Sequence, residues 1–178
     1  MTGPSTHSPS SSPRPWLLST LTAIVFAFAA AGFMIPAHAE EGYKVSQKSG
    51  KFEDVIEDLQ DAILKRGFVI DYTGELNAML ERTAKDTGAV KASGKLTPFK
   101  NAKFLQFCPA KLTHEAVAMN PMGIANCPVA IFVFELDHDQ GVIKVGYRLP
   151  VTTPSRKARE VNDRLEATLA EIVAETVK

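Results

Sequence analysis

Two cysteines and the residues around them form the most chemically loaded stretch of this 178-residue chain. Cys108 stands in Phe107-Cys108-Pro109-Ala110 and Cys127 in Asn126-Cys127-Pro128, with Met119-Asn120-Pro121-Met122-Gly123 between them. Each cysteine precedes a proline, whose ring pushes it toward extended backbone. Cys108 also falls where a helix N-cap is expected, with Pro109 at the first helical position, and exposed amides there favour a thiolate. Four chemistries fit. A disulfide would close a loop of about 20 residues and stabilise the domain by roughly 3 kcal/mol. A redox-active or ligand-binding thiol pair would use the helix terminus. A soft-metal or haem site would use neighbouring sulfurs. Two buried thiols would do nothing but pack.

Distance trims the metal reading. A helix over Pro109 to Ala118 is about 15 Å long, which holds Cys108 and Met119 apart. Cys127 can reach either end, so Cys108 with Cys127 and Cys127 with Met122 stay open as pairs, but all four sulfurs cannot share one ion.

Other polar residues carry weaker signals. His114 follows Cys108 by about 9 Å of helix axis and faces away, so a Cys–His nucleophile is not built here. His138 sits between Asp137 and Asp139 in a solvated turn. Arg156, Lys157 and Arg159 occupy the first turn of a last helix, where the dipole disfavours cations. With Thr152, Thr153 and Ser155 they could cradle an anion; the plainer account is a charged face offset by Glu160 and Asp163. No Ser-x-x-Lys, G-x-S-x-G, HExxH, P-loop or haem-attachment pattern is present in the mature region. That argues against an enzyme and leaves the cofactor unspecified.

The elements that position these residues follow from periodicity. Tyr43 to Ser46 alternates as a first strand. Ser49-Gly50 opens a helix whose apolar face is Phe52, Val55, Ile56, Leu59 and Ile63. Acidic residues crowd its start, Lys65 and Arg66 close it, and Gly67 caps it. Gly67 to Tyr72 is a second strand. Thr73-Gly74 starts a second helix, with Leu76, Met79, Leu80 and Ala84 inward, ending near Gly88. Gly88 to Lys103 reads as a surface loop. Lys103 to Phe107 is a third strand, and a short helix follows to about Ala118. Val129 to Leu136 is almost continuously apolar, as for a central strand buried on both faces. Asp137 to Gly141 turns the chain into Val142 to Leu149. A C-terminal helix spans 154–177, with Thr153-Pro154 at its start and a core stripe of Ala158, Val161, Leu165, Leu169, Ile172 and Val173. The hairpin and long last helix predict an α+β domain with a largely antiparallel sheet.

The first 39 residues are different in kind. They hold Arg14 as their one charged side chain, an apolar run from Trp16 to Ile35, and Ala37-His38-Ala39 before Glu40. This is the pattern of a cleaved secretory signal peptide, leaving a single domain over 40–178, periplasmic or secreted, with no stable membrane span. Cleavage removes one of the 20 basic residues and none of the 20 acidic ones, for a net charge of −1. A nucleic-acid partner usually demands a strongly basic face, which this lacks. Two thiols exported to an oxidising compartment are expected to pair.

The Gly50-Lys51-Phe52 helix opening, the Gly67-Phe68 step, Cys108-Pro109 at a strand end, Asn120-Pro121-Met122-Gly123 and Cys127-Pro128 occur in one order. In this set the sequence resembles the family known as domain of unknown function 302, over 49–150. The resemblance implies a fold similar to the TATA-box-binding protein and a homodimer, and no settled activity. The expectation is therefore a small exported binding or accessory domain, dimeric, with a site around Cys108 and Cys127 for an unknown small ligand or protein partner. The rival is a thiol-based redox protein, or one handling a soft metal or haem.

Overall fold

A computed structural model describes residues 42–88, 97–151 and 155–178, and residues 41–178 form one compact unit. The signal-peptide reading lies outside the described residues, as do Thr152, Thr153 and Pro154. Strand β1 (Tyr43–Ser49) leads to helix α1 (Phe52–Leu64), strand β2 (Ile70–Glu75) and helix α2 (Leu76–Thr87). Strand β3 (Phe99–Phe107), helix α3 (Ala110–Met119) and a 3-10 turn (Pro121–Asn126) follow. The hairpin β4 (Val129–Leu136) and β5 (Val142–Arg148) and helix α4 (Arg156–Thr176) complete the chain. The strands form one sheet in the order β1-β5-β4-β3-β2, every pairing antiparallel. This is the α+β class that periodicity predicts.

One face of the sheet carries the core. Val129, Ile131 and Val133 of β4, Leu105 and Phe107 of β3, and Ile143, Val145 and Tyr147 of β5 pack with the apolar faces of α1 and α4. The predicted stripes are the buried ones: Phe52, Val55, Ile56, Leu59 and Ile63 in α1, and Ala158, Val161, Leu165, Leu169, Ile172 and Val173 in α4. Lys65 and Arg66 at the end of α1 meet Glu175 of α4 at 2.9 and 2.8 Å, which joins the two helices at that end.

Four expectations are corrected. Strand β4 is not buried on both faces. Its residues alternate buried and half-buried, because α1 and α4 cover only the odd-numbered side. Thr73 and Gly74 do not start the second helix. They belong to β2, paired with Leu105 and Phe104, so the ladder claims their backbone groups. Helix α2 then buries no residue at all, and Met79 and Leu80 are exposed. Its amphipathic stripe is real, but α1 and α4 already occupy the sheet's covered face. The surface loop is shorter than expected, since β3 begins at Phe99, where Phe99 to Ala102 pair with Leu136 to Phe134.

The element ends move as well. Ser49 is the last residue of β1, Lys51 is the N-cap of α1, and Gly50 between them donates to the Gly141 carbonyl at 3.0 Å. Pro109 is the N-cap of α3, one step before its expected place. Ser155 is the N-cap of α4.

Candidate functional site

Cys108 and Cys127 are brought together by strand register and a compact return. Phe107, last in β3, pairs with Val129, first in β4, so both cysteines lie just beyond the same end of the ladder. Helix α3 leaves from Pro109, and Asn120 stops it while its side chain accepts the Met122 amide at 3.0 Å to start the 3-10 turn. Gly123 lets that turn lie on α3: a Cβ there would stand 2.8 Å from the Ala116 carbonyl carbon. The chain thus re-enters the sheet at Cys127, where the two Cα atoms are 5.6 Å apart and the sulfurs form a disulfide. That separation is inside the range a disulfide requires. The Thr113 hydroxyl lies 3.3 Å from the Cys108 sulfur.

The other sulfurs stand apart from this bond. Met119 ends α3 and is 42% exposed, and Met122 is 68% exposed on the 3-10 turn. Met122 and Cys127 are separated by the length of that turn, about 10 Å of axis at about 2 Å per residue. Among the described residues no group of three His, Cys, Asp or Glu side chains could hold a metal. His114 is exposed on α3.

Thr152 and Thr153 of the candidate anion cradle lie outside the described residues. Arg156 is exposed, with Nε 3.8 Å from Glu160. Lys157 shares a shallow depression with Glu115, Glu160, Asp163 and Arg164. There Arg164 pairs with Glu115 and holds its carboxyl below the usual carboxylate range.

A cavity lies on the open face of the sheet, directly beside Cys127. Its volume is about 740 Å³. Ala130, Phe132 and Phe134 of β4, with Gln106 of β3 and Val45 of β1, form the floor. Ala125, Asn126, Pro128, Leu149, Pro150 and Val151 form the wall next to the disulfide. Tyr43 and Arg148, paired across β1 and β5, complete the rim. Among the described residues Arg148 is the sole charged one in the lining, and none of them brings a carboxylate to the cavity.

Local sequence explains this floor. Phe132 pairs with Gly146, where a Cβ would stand 2.6 Å from the ring and 2.5 Å from the Lys44 carbonyl oxygen, so glycine alone lets the ring lie flat across β5. Phe132 stacks on Phe134 at 6.2 Å, and Phe99 meets Phe134 edge-on at 5.5 Å. Lys144 covers Phe134 at 5.8 Å from the ring centre. The same device recurs on β2, where Gly74 makes room for Phe104 and Tyr72 tilts against that ring at 5.8 Å.

The wall is held by an amide clasp. Asn126 accepts the Val151 amide at 2.7 Å, and its own amide meets Asn162 of α4 at 3.1 Å. Asn162 donates to the Val151 carbonyl at 2.6 Å. The disulfide fixes one side of residues 125–128 and this clasp the other, so the wall is anchored to β3, α3 and α4 together.

A second buried polar group lies on the opposite face of the sheet from the cavity. Glu135 of β4 is 3% exposed on the covered face. Burial alone would raise its pKa, but the Gly141 amide at 2.8 Å, Asn101 at 2.7 Å and Lys100 at 3.1 Å outweigh it, and the pKa is lowered. The arrangement locks the β4–β5 turn onto β3.

Of the residues singled out by sequence, Cys108 and Cys127 are joined, and Cys127 stands between the lining residues Asn126 and Pro128; neither cysteine, nor Met122, Arg156, Lys157 or Arg159, is itself among the described lining residues. Sequence reasoning missed Phe132, Phe134, Gln106 and Arg148. The available signal was the pairing of a long apolar strand with a hairpin partner reading Val-Ile-Lys-Val-Gly-Tyr-Arg, whose Lys144, Gly146 and Arg148 mark one face as solvent-facing.

Comparison with known proteins agrees with this architecture. An uncharacterized conserved DUF302 protein from Bacillus stearothermophilus, known from a crystal structure, superposes with a TM-score of 0.62 at 15% identity. The alignment covers 77% of this chain and 99% of that one, a likeness of fold. No curated protein matches the chain. The model of the family described as Domain of unknown function DUF302 matches residues 43–176, from β1 through α4 and well beyond the 49–150 core of the sequence resemblance. This chain belongs to the DUF302 family.

Proposed function

We propose that this protein is an exported, dimeric, non-enzymatic binding domain that holds a small ligand in the open-face cavity beside the disulfide. The observation that carries the reading is that cavity. Its volume of about 740 Å³ falls within the range typical of small-molecule sites, and its apolar floor with few polar groups has their usual makeup. The disulfide supports export, because such bonds persist in oxidising compartments. Ala37-His38-Ala39 supplies the cleavage site, so the mature chain is expected to begin at Glu40. The exposed Met79 and Leu80 of α2 and Tyr72 of β2 support a second copy as their cover.

Native mass spectrometry of protein taken from the exported fraction tests all three parts. The expected species is a dimer of chains starting at Glu40, carrying a small molecule that Ala130→Trp displaces. A retained Trp16 peptide refutes export with cleavage, and a ligand unaffected by Ala130→Trp refutes this cavity as its site.

A second reading rests on the Thr113 hydroxyl beside the Cys108 sulfur, a hydrogen-bond partner for a departing thiolate. In it the disulfide takes two electrons and two protons from a partner dithiol, which becomes a disulfide in turn. Holding a soft metal or haem through Cys127 and Met122 would require that reduction first, and also an opening of the 3-10 turn that holds the two sulfurs apart. A reduction potential far below that of glutathione would rule out both uses and leave the bond structural.

A further inference from the structure

We infer that the open-face cavity selects an apolar, ring-bearing monoanion, with the ligand's carboxylate or sulfonate on Arg148 and its ring on Phe132 and Phe134. The inference rests on the cavity being the binding site and adds the chemistry of its occupant.

Three features fix that chemistry. The floor is a pair of stacked phenyl rings: Phe132 lies opposite Gly146, which has no side chain to cover it, and Phe134 lies beside it with Lys144 over one side of its ring. Offset stacking on such rings favours a flat apolar body. Charge is the second feature. Arg148 lines the cavity, and no carboxylate among the described residues lines it, so an entering anion meets a cation and no competing acid there. A guanidinium presents a planar fork that matches a carboxylate or sulfonate with two parallel hydrogen bonds. Polarity is the third. Gln106 reaches the floor with no side-chain hydrogen bond among the described residues, and Asn126 is already held by Val151 and Asn162. One amide is thus available to a ligand, enough to orient a single polar substituent. A dication or a polyanion would find too few partners here.

Two fluorescent probes with one skeleton separate shape from charge. 8-Anilino-1-naphthalenesulfonate carries the anion, and N-phenyl-1-naphthylamine is the same body without it. Titrated into the purified protein, both are expected to bind saturably at one site per chain, the sulfonate more tightly. Arg148→Gln should weaken the sulfonate about tenfold or more, the worth of a charge-assisted hydrogen bond, and leave the neutral probe unchanged. Arg148→Lys should restore part of the loss. Ala130→Trp, which fills the floor from an open position, should abolish both. If Arg148→Gln leaves the sulfonate's affinity within twofold, the anion inference is overturned while the cavity reading stands. If neither probe binds, or both survive Ala130→Trp, the cavity reading falls and the inference with it.

Discussion

Replacing Cys108 and Cys127 together by serine removes the disulfide without leaving an unpaired thiol. The two residues are 19 apart in sequence. Loop-closure entropy for about 20 residues is near 11 cal/mol/K, which is about 3 kcal/mol at 25 °C. The folded state should change little on its own account, because the Phe107–Val129 pairing and the packing of Gly123 on Ala116 hold the two ends together without the bond. The loss is therefore a property of the unfolded chain, which becomes free to expand. Urea unfolding should show the midpoint fall and the slope rise slightly, as a more open unfolded state exposes more surface. In thermal unfolding, about 2.1 cal/mol/K per residue over roughly 140 residues converts 3 kcal/mol to a fall of about 10 °C. Each single serine variant should lose as much as the double one, to within about 0.5 kcal/mol, since either breaks the same bond. A loss under about 0.5 kcal/mol in the double variant would refute the reasoning. Serine variants that add independently would also refute it, showing two separately packed thiols.

Leu59 is fully buried in α1 among the core side chains, so Leu59→Ala should cost about 2–5 kcal/mol by chemical denaturation, and a cost under about 0.5 kcal/mol would place that face outside the core. Glu135 has its pKa lowered in the folded protein, so its stabilising contribution is complete above the unfolded value of about 4.3 and is lost as pH falls through the folded value. Glu135→Gln should cost about 1–3 kcal/mol at pH 7, the range for a hydrogen bond to a charged group. Below about pH 4.3 it should lose stability less steeply than the wild type in urea titrations; parallel acid limbs would show that Glu135 is not the linked group.

How much of this molecule can be read from its sequence depends on how local the deciding interaction is. The stripes of α1 and α4 repeat every three or four residues, and each names its own buried face, from Phe52 to Ile63 and from Ala158 to Val173. The β4–β5 hairpin and the antiparallel class follow from the same short-range patterns. The disulfide was one of several open chemistries for the two thiols. Strand register chose among them, by setting Phe107 opposite Val129.

What only the tertiary structure decided is which surfaces are covered. Helix α2 has a helical stripe as regular as its neighbours, yet Met79 and Leu80 stay exposed, because amphipathicity states what a helix can bury and not whether a partner surface is available. Strand β4 is apolar at nearly every position, so alternation is invisible in its hydropathy. Its two faces become different only when α1 and α4 settle on one of them. The cavity is the consequence on the other face. Phe132, Phe134, Gln106 and Arg148 come from three strands, and no spacing within one segment encodes their meeting. Sequence determined the elements and the bond-forming residues; long-range packing determined which face of the sheet stayed open to become a site.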